Sequence, residues 1–269
     1  MKELKAIAND LIGDMVRLSH HSTTPHLACN LSPVSILAAL FWGAMAVDPS
    51  EPEREERDKF FMSKGHASAI HYLALAHRGF FPVEDVFALG QEGSCFEEHA
   101  GIDAPPGIET VTGSLGHALG TASGMALADR LLGRSCHHFV LMGDGELNEG
   151  SVWEAALFAP AKGLNRVTAI VDYNKWQATG RSSEVSGMKA LVEKFAAFGW
   201  QACEVDGHDL DALVETFKAC KTASSPTAVI CNTVKGFGVS FMEDDNNWHY
   251  RIPNEEEVAM AEQELKSHA

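Results

Sequence analysis

Two short apolar runs enclose one helix-like segment between residues 137 and 176, and this stretch constrains the fold more than any other. The first run ends in Gly143-Asp144-Gly145, and the second ends just before Asn174. A strand–helix–strand unit takes roughly 30 residues or more and produces two parallel strands. Strands alternate with helical patterns through the second half of the chain. The sequence therefore predicts an α/β fold with a doubly wound, mainly parallel sheet and helices on both faces.

The residues that follow these two runs predict a small-ion site. Ligands of such sheets bind at the carboxyl ends of the strands, where Asp144 follows the first strand and Asn174 comes thirty positions later. If the strands are neighbours, about 4.8 Å apart, one carboxylate and one amide oxygen can meet over one ion. Such hard oxygen ligands suit Mg²⁺ or Ca²⁺. Mg²⁺ held by so few protein oxygens usually shares a phosphorylated ligand, and Gly143, Gly145 and Gly150 leave room for a diphosphate.

Composition excludes several functional classes. The chain has 269 residues, a formal charge of −16 and a pI near 5.2, so a basic nucleic-acid-binding surface is not expected. The six cysteines form no C-x-x-C pair, which is typical of free thiols in a reducing cytosol. The N-terminus lacks an apolar signal core, and no apolar run approaches the roughly 20 residues that span a bilayer. We therefore expect a cytoplasmic protein without a membrane segment.

The segment from Gly143-Asp144-Gly145 to Asn174 resembles the thiamine-diphosphate signature of the transketolase family. The resemblance implies that Asp144, Asn174 and the backbone carbonyl of Trp176 hold a divalent ion, which in turn holds the diphosphate of the cofactor. It also implies that the loop after the first strand borders the cofactor, with Gly145 and Glu146 as cofactor-binding residues.

Several histidines match positions of the same family. Met62-Ser63-Lys64-Gly65-His66-Ala67 resembles the segment whose histidine touches cofactor diphosphate and substrate, which implies this role for His66. His26 matches a substrate-facing histidine, although Pro25 replaces the usual glycine before it. His99 matches the histidine of a His-Pro-Glu segment.

Three further segments complete the resemblance. Trp248-His249 follows a glycine-containing loop as the family's closing segment does, which implies contacts of His249 with cofactor phosphates and substrate. Tyr250 replaces a frequent glycine there. Gly113 and Leu115 belong to a Gly-x-Leu-Gly turn that lines the thiamine site in the family.

Glu149 corresponds to a glutamate that pairs across the dimer axis with the glutamate that activates the cofactor. The remaining histidines are expected to be structural or surface residues: His20, His21, His71, His77, His117, His137, His138, His208 and His268.

Local patterns predict individual elements. Ser32-Pro33 has the residues of a helix start, and Ser151-x-x-Glu154 fits a capping box. Residues 19–31 read as a loop. A long helix is predicted over 114–132, where small residues spaced by four share one face and indicate a very close neighbour. These are Gly116, Gly120, Gly124 and Ala128, and the neighbour is another helix, a partner subunit or the cofactor.

The resemblance covers nearly all of the chain but only the first, diphosphate-binding domain of a transketolase. The glutamate that activates the cofactor lies in a second domain that is absent here. We therefore expect residues 1–269 to form a single domain that is the complete N-terminal subunit of a split transketolase, assembled with a C-terminal partner as α2β2. The complex would move a two-carbon ketol unit from a ketose to an aldose, most simply phosphorylated sugars. His26, His66, His99 and His249 would supply proton transfers and hydroxyl contacts.

Two alternatives stay open at this stage. The first is a subunit of another thiamine enzyme, resembling deoxyxylulose-phosphate synthase or a 2-oxo-acid dehydrogenase. The histidines and the Trp-His ending favour transketolase over it. The second is a catalytically silent regulatory subunit, against which the intact metal and diphosphate positions argue. The sequence names neither the sugar nor the metal.

Overall fold

Three helices precede the first strand, and strands then alternate with helices along most of the chain in the structure, a computed structural model that describes residues 2–267. The strands are β1 (Lys59–Met62), β2 (His138–Gly143), β3 (Val167–Tyr173), β4 (Trp176–Gln177), β5 (Gly180–Arg181), β6 (Gln201–Asp206) and β7 (Thr227–Asn232). The α-helices are α1 (Lys2–Ser22), α2 (Leu27–Leu31), α3 (Val34–Ala39), α4 (Ser68–Arg78), α5 (Val83–Val86), α6 (Ala118–Leu131), α7 (Gly150–Ala161), α8 (Ser182–Val185), α9 (Leu191–Ala197), α10 (Leu210–Cys220) and α11 (Glu255–Ser267).

Five strands form one parallel sheet in the order β1-β2-β3-β7-β6, and β4 and β5 form a small antiparallel hairpin. β2 and β3 are neighbours, with Gly143 opposite Asp172. The carboxyl ends of these strands therefore bring Asp144 and Asn174 to one edge of the sheet. The predicted doubly wound α/β fold is confirmed.

Two hydrophobic cores lie on opposite faces of the sheet. Side chains of β2 alternate between them: Leu141 packs in the core shared with α1, α3, α4, α10 and α11, and Val140 and Met142 pack in the core shared with α6, α7 and α9. All three are fully buried, and burying such a side chain stabilises the fold by about 1.5–3 kcal/mol. Both faces being covered explains why the strands read as continuous apolar runs rather than alternating ones.

The predictions that Ser32 and Ser151 cap helices are wrong, because both hydroxyl groups form hydrogen bonds with residues distant in sequence. α3 begins at Val34, and Ser32 Oγ donates to Asp172 Oδ2 over 2.6 Å instead of capping the helix. α7 begins at Gly150, and Ser151 Oγ donates to Gly116 O over 3.0 Å. A capping motif is recognised from local spacing alone, and local spacing does not reveal hydrogen bonds between segments far apart in sequence.

The predicted helix over 114–132 begins four residues late, at Ala118. Gly116 precedes it with a φ of +84°, and a Cβ there would lie 2.6 Å from Glu149 Cβ, so its glycine serves a close turn and not the helix face. The small-residue stripe on α6 therefore consists of Gly120, Gly124 and Ala128, all exposed.

The N-terminal segment contains more helix than predicted. α1 extends to Ser22 and α2 begins at Leu27, so the predicted loop over 19–31 is short. Residues Leu27–Ala44 are one helical stretch long and apolar enough to cross a membrane by length and composition alone, but 83% of this window is buried inside the protein. Its apolar character is therefore explained by its place in the core. His268 lies outside the described residues.

Candidate active site

A cleft of about 460 Å³ opens at the carboxyl ends of β2 and β3. Loops after β1, β2, β3 and β7 contribute to it, together with the start of α2. Its lining residues are His26, Cys29, Lys64, His66, His99, Gly113, Leu115, Gly143, Asp144, Gly145, Glu146, Asn174, Trp176, Gln177, Ala178, Thr179 and His249. The structure thus brings together every site residue predicted from the sequence except Glu149.

Asp144 and Asn174 offer the oxygens of a cation site. Asp144 is 1% exposed, and its carboxylate accepts hydrogen bonds from Gly145 N over 2.8 Å and Ser182 Oγ over 2.7 Å. Asn174 Oδ1 accepts from Trp176 N over 3.0 Å. Burial, with the nearby Asp172 carboxylate, raises the pKa of Asp144 to about 6. A buried carboxylate and an amide oxygen at the same edge of the sheet are oxygen donors of the kind that a divalent cation takes.

Beneath the cleft, Asp172 and Lys64 form a buried ion pair that the sequence analysis missed. Asp172 Oδ2 accepts from Lys64 Nζ over 2.5 Å, and Asp172 Oδ1 accepts from Thr233 Oγ1. Lys64 also donates to Cys29 O over 2.9 Å. Burial disfavours the ammonium, but Asp172 outweighs it and raises the pKa of Lys64. The positive charge of Lys64 at the cleft is therefore balanced by the Asp172 carboxylate that it contacts.

A second lysine, Lys235, is fully buried behind His249, which lines the cleft. Its Nζ donates to Asn246 Oδ1 over 2.6 Å and to His249 Nδ1 over 3.0 Å, which leaves the proton of His249 on Nε2. Burial lowers the pKa of Lys235. The next residue, Gly236, has a φ of +78°, and a Cβ there would lie 2.4 Å from Met242 O, so only glycine fits this turn.

Three of the predicted histidines cluster at one side of the cleft. Ring centroids of His26 and His249 lie 4.9 Å apart, and the ring of His66 lies 5.5 Å from His26 and 6.2 Å from His249. Burial lowers the pKa of each, that of His249 to about 3. The rings are therefore neutral near pH 7, and each offers one nitrogen that accepts a hydrogen bond and one that donates. The backbone of His26 is left-handed, with a φ of 66°.

The fourth predicted histidine, His99, packs against the glycine turn. A Cβ on Gly113 would lie 3.5 Å from His99 Cδ2, and Gly113 has a φ of +116°. A Cβ on Gly65 would lie 2.5 Å from Gly113 N. These two glycines therefore permit a close backbone approach that brings His66 and Leu115 to the cleft.

The two predicted glutamates differ in placement. Glu146 is 2% exposed, and its carboxylate accepts from Gly116 N over 2.7 Å, from Gly143 N over 3.2 Å and from Ser63 Oγ, so it holds the surrounding loops. Burial raises its pKa. Glu149 is exposed and lies outside the cleft, against Gly116.

The missed residues share one property, which is that their partners are distant in sequence. Lys64 and Asp172 are 108 positions apart, and Cys29 Sγ lies 3.3 Å from Nδ1 of His249, 220 positions away. No periodicity or local motif reveals such pairs. The only sequence signal was position, since Lys64 lies two residues after β1 and Lys235 lies three residues after β7.

Taken together, a parallel sheet with a strand-end cleft, oxygens suited to a cation and lysines suited to an anion defines a diphosphate-binding α/β domain. Residues 5–268 match the family described as "Transketolase, thiamine diphosphate binding domain". The chain belongs to the transketolase family.

Named relatives agree with this assignment. The chain is 36% identical over 252 residues to one subunit of an apulose-4-phosphate transketolase of Phocaeicola vulgatus, covering 93% of this chain and 89% of the relative. It is 39% identical over 219 residues to a 6-deoxy-6-sulfo-D-fructose transketolase subunit of a Clostridium species, covering 81% and 80%.

Solved structures give the same fold. The transketolase of Campylobacter jejuni superposes with a TM-score of 0.92 at 26% identity, over 99% of this chain and 43% of that one. A transketolase mutant of Pichia stipitis superposes with a TM-score of 0.92 at 25% identity, over 97% and 40%. The chain therefore spans less than half the length of these solved transketolases.

Proposed function

We propose that this chain is the diphosphate-binding subunit of a two-chain transketolase, which moves a two-carbon ketol unit from a ketose to an aldose. The observation that carries the proposal is the cleft at the ends of β2 and β3, where Asp144 and Asn174 face the same space as His26, His66 and His249. Relatives named as transketolase subunits match over most of their own length, which supports a division of the enzyme between two chains.

In this proposal Asp144, Asn174 and the carbonyl of Trp176 hold Mg²⁺ or Ca²⁺, which binds the diphosphate of thiamine diphosphate. Lys64 is balanced by its ion pair with Asp172, whereas Lys235 lies against His249 with no carboxylate among its hydrogen-bond partners within residues 2–267. A diphosphate brings negative charge into a buried site, and charges there interact more strongly than in water. The ammonium of Lys235 would therefore offset part of the negative charge that a single divalent cation leaves.

Bound thiamine diphosphate supplies a nucleophilic carbon and an electron sink for the transferred ketol unit. The chain's own residues bind and move protons. The imidazoles of His26, His66, His99 and His249 accept hydrogen bonds from sugar hydroxyls or donate hydrogen bonds to them. Lys235 keeps the proton of His249 on Nε2. Gly113 and Leu115 border the cleft where the remainder of the cofactor would lie.

We assign completion of the site to a partner that carries the pyrimidine-binding and C-terminal domains. Exposed apolar side chains stand on segments beside the cleft residues: Ile102 is 93% exposed, Val111 is 55% exposed and Tyr250 is 64% exposed. Tyr250 lies against His249, with ring centroids 4.6 Å apart. A covering subunit would remove these groups from water.

We further propose that two such pairs assemble as α2β2 through the face formed by α6 and α7. The exposed stripe of small residues on α6 lies beside α7, on which Leu157 is 61% exposed and Phe158 is 37% exposed. Glu149 lies at the start of α7. Closed two-fold symmetry is the common solution for such assemblies. We place the enzyme in the cytoplasm and treat residues 1–269 as one domain.

Product analysis tests the reaction. The chain, its partner, thiamine diphosphate and Mg²⁺ are incubated with a ketose phosphate and an aldose phosphate, and separately with pyruvate. We expect a lengthened sugar and a shortened aldose from the first mixture, and no carbon dioxide from the second. Decarboxylation of pyruvate without ketol transfer would contradict the proposal and favour a synthase or dehydrogenase subunit.

A further inference from the structure

Two loops at the mouth of the cleft are joined by a cluster of three side chains, which we call the clamp: Trp176, Arg181 and Asp244. Arg181 Nη1 and Nη2 donate to Asp244 Oδ1 and Oδ2 over 2.7 Å and 2.6 Å. Trp176 Nε1 donates to Asp244 Oδ1 over 2.7 Å. The Arg181 guanidinium lies 3.8 Å from the centroid of the Trp176 ring. The clamp therefore combines a bidentate ion pair, an indole hydrogen bond and a cation–π contact.

Both loops contribute lining residues to the cleft. One is the β4–β5 hairpin, which begins two residues after Asn174 at Trp176. The other leads from Asp244 through Asn246, the partner of Lys235, to His249. Asn246 Nδ2 adds a fourth link by donating to Ala178 O over 3.1 Å.

Both loops contain backbone strain next to the clamp. Lys175, between Asn174 and Trp176, has a φ of 71°, and Asp244 has a φ of 57°. Residues other than glycine rarely adopt this region, and a strained conformation persists only when its surroundings hold it. An exposed ion pair alone contributes little. Here several contacts converge on one carboxylate and hold two strained turns in place.

We propose that Asp244 is a positioning residue that holds the main chain at Trp176 in the conformation that the cation and diphosphate require. The inference rests on the proposed function, because it assigns the Trp176 carbonyl to the cation. Without the clamp the hairpin opens, and binding of the cofactor must order it again. Only chains with a closed hairpin then bind thiamine diphosphate, and the apparent affinity is the intrinsic affinity multiplied by the fraction of such chains.

Asp244→Asn tests the proposal, because asparagine tolerates a positive φ and keeps an oxygen for the indole N–H but loses the charge that Arg181 needs. Glu257→Gln is the matched control. Glu257 pairs with Arg251, whose guanidinium lies 4.3 Å from the ring centroid of Trp248. The control therefore removes a partly buried carboxylate from a second arginine–tryptophan pair that does not join the two loops.

The first measurement is limited trypsin cleavage of the full chain without cofactor, with the sites identified by mass spectrometry. We expect cleavage after Lys175 and Arg181 to become roughly threefold to tenfold faster in Asp244→Asn, since local opening exposes the hairpin. The Glu257→Gln chain should match the parent. Equal cleavage of all three proteins would overturn the clamp.

The second measurement is calorimetry of thiamine diphosphate with Mg²⁺ binding to the chain together with its partner subunit. We expect the dissociation constant to rise roughly threefold to tenfold in Asp244→Asn and in Arg181→Gln, and no further in the double variant, because contacting residues are non-additive. Faster cleavage with an unchanged dissociation constant would overturn the positioning role. Failure of the parent complex to bind the cofactor would instead overturn the proposed function, whatever the cleavage result.

Discussion

At the scale of the residue, the buried carboxylate of Asp144 lowers the folding stability of the chain at neutral pH. Its folded pKa of about 6 lies above the ordinary value of 3.8, because burial and Asp172 disfavour the ionised form. A carboxyl with a raised folded pKa destabilises the fold as pH rises above its ordinary pKa, and the effect is complete above the folded pKa. At neutral pH the cost is on the order of 1–3 kcal/mol.

Asp144→Asn is therefore expected to stabilise the metal-free chain by about 1–3 kcal/mol at pH 7.5, with a smaller gain near pH 4. The same variant should lose Mg²⁺-dependent binding of thiamine diphosphate. Urea unfolding without metal and calorimetry with metal give the two results, and the exposed Asp211→Asn is the control. Destabilisation at pH 7.5, or unchanged cofactor affinity, would contradict the assignment of Asp144.

Substitution of substrate-facing histidines should separate turnover from cofactor binding. His99→Ala and His26→Asn remove the imidazoles, and asparagine is chosen because His26 has a positive φ that alanine would strain. We expect both complexes to keep their affinity for thiamine diphosphate while turnover falls about 10²–10⁴-fold, the usual worth of general acid–base help. Steady-state kinetics and calorimetry measure the two quantities. Loss of cofactor with full turnover per loaded site would show that the roles are wrong.

At the scale of the element, α6 carries glycines that its own fold does not require. A Cβ on Gly124 would meet nothing within 4 Å, and the nearest atom to a Cβ on Gly120 is Ala155 Cβ at 4.0 Å. Glycine within a helix costs about 1 kcal/mol relative to most other residues. A second copy packing close to this face is the physical reason we propose for keeping them.

Gly124→Arg should therefore keep or raise the stability of the isolated chain by up to about 1 kcal/mol, since arginine is a good helix former. It should block association of copies through α6, which light scattering or sedimentation would report as a smaller assembly. Lys266→Ala, on the exposed end of α11, is a control far from this face in sequence. An assembly of normal size with Gly124→Arg would remove α6 from the interface.

The limits of the sequence show clearly among the elements. The mainly parallel sheet, the strand-end positions of Asp144 and Asn174, and the helices on both faces followed from hydrophobic patterns that extend over whole elements, whereas the strand order came only from the structure. The helix caps predicted at Ser32 and Ser151 were wrong, because the hydroxyl of Ser32 donates to a distant carboxylate and that of Ser151 to a distant carbonyl. Lys64 was missed for the same reason. Contacts across the cleft depend on the folded chain, and no local spacing encodes them.

At the scale of the whole molecule, three buried histidines set the response to acid. Burial lowers the pKa of His71 and His137 to about 3 and that of His138 to about 4, from an ordinary 6.5. The unfolded chain takes up protons below pH 6.5 while the folded chain does not. The contribution of the neutral rings is thus present above pH 6.5 and is lost as pH falls toward the folded pKa values.

We expect the free energy of unfolding to fall between pH 6.5 and pH 5 by up to about 1.4 kcal/mol per pH unit for each such histidine. Urea unfolding at several pH values gives the slope. The ring of His71 packs against the rings of Phe41 and Phe60. His71→Leu should reduce the slope of unfolding free energy against pH by up to about 1.4 kcal/mol per pH unit, the contribution of one titrating histidine. A slope that His71→Leu leaves unchanged would show that His71 does not titrate on unfolding.

The last prediction concerns the division of the site between two chains. In the proposed enzyme this chain supplies the diphosphate end of the site, and the partner subunit supplies the glutamate that activates the cofactor. Purified alone, with thiamine diphosphate and Mg²⁺, the chain should therefore show no ketol transfer and should bind the cofactor weakly, at one end only.

Addition of the partner subunit should restore transfer and tighten the cofactor, because each chain would complete the other's half of the site. Sedimentation of the active mixture should give two copies of each chain. Glu149→Gln should weaken this assembly, or the communication between its sites, more than it weakens metal binding, because Glu149 lies outside the cleft and beside Gly116 at the start of α7. Full turnover by this chain without a second polypeptide on a gel would refute the two-chain enzyme, since the residues of this chain would then suffice for the whole reaction.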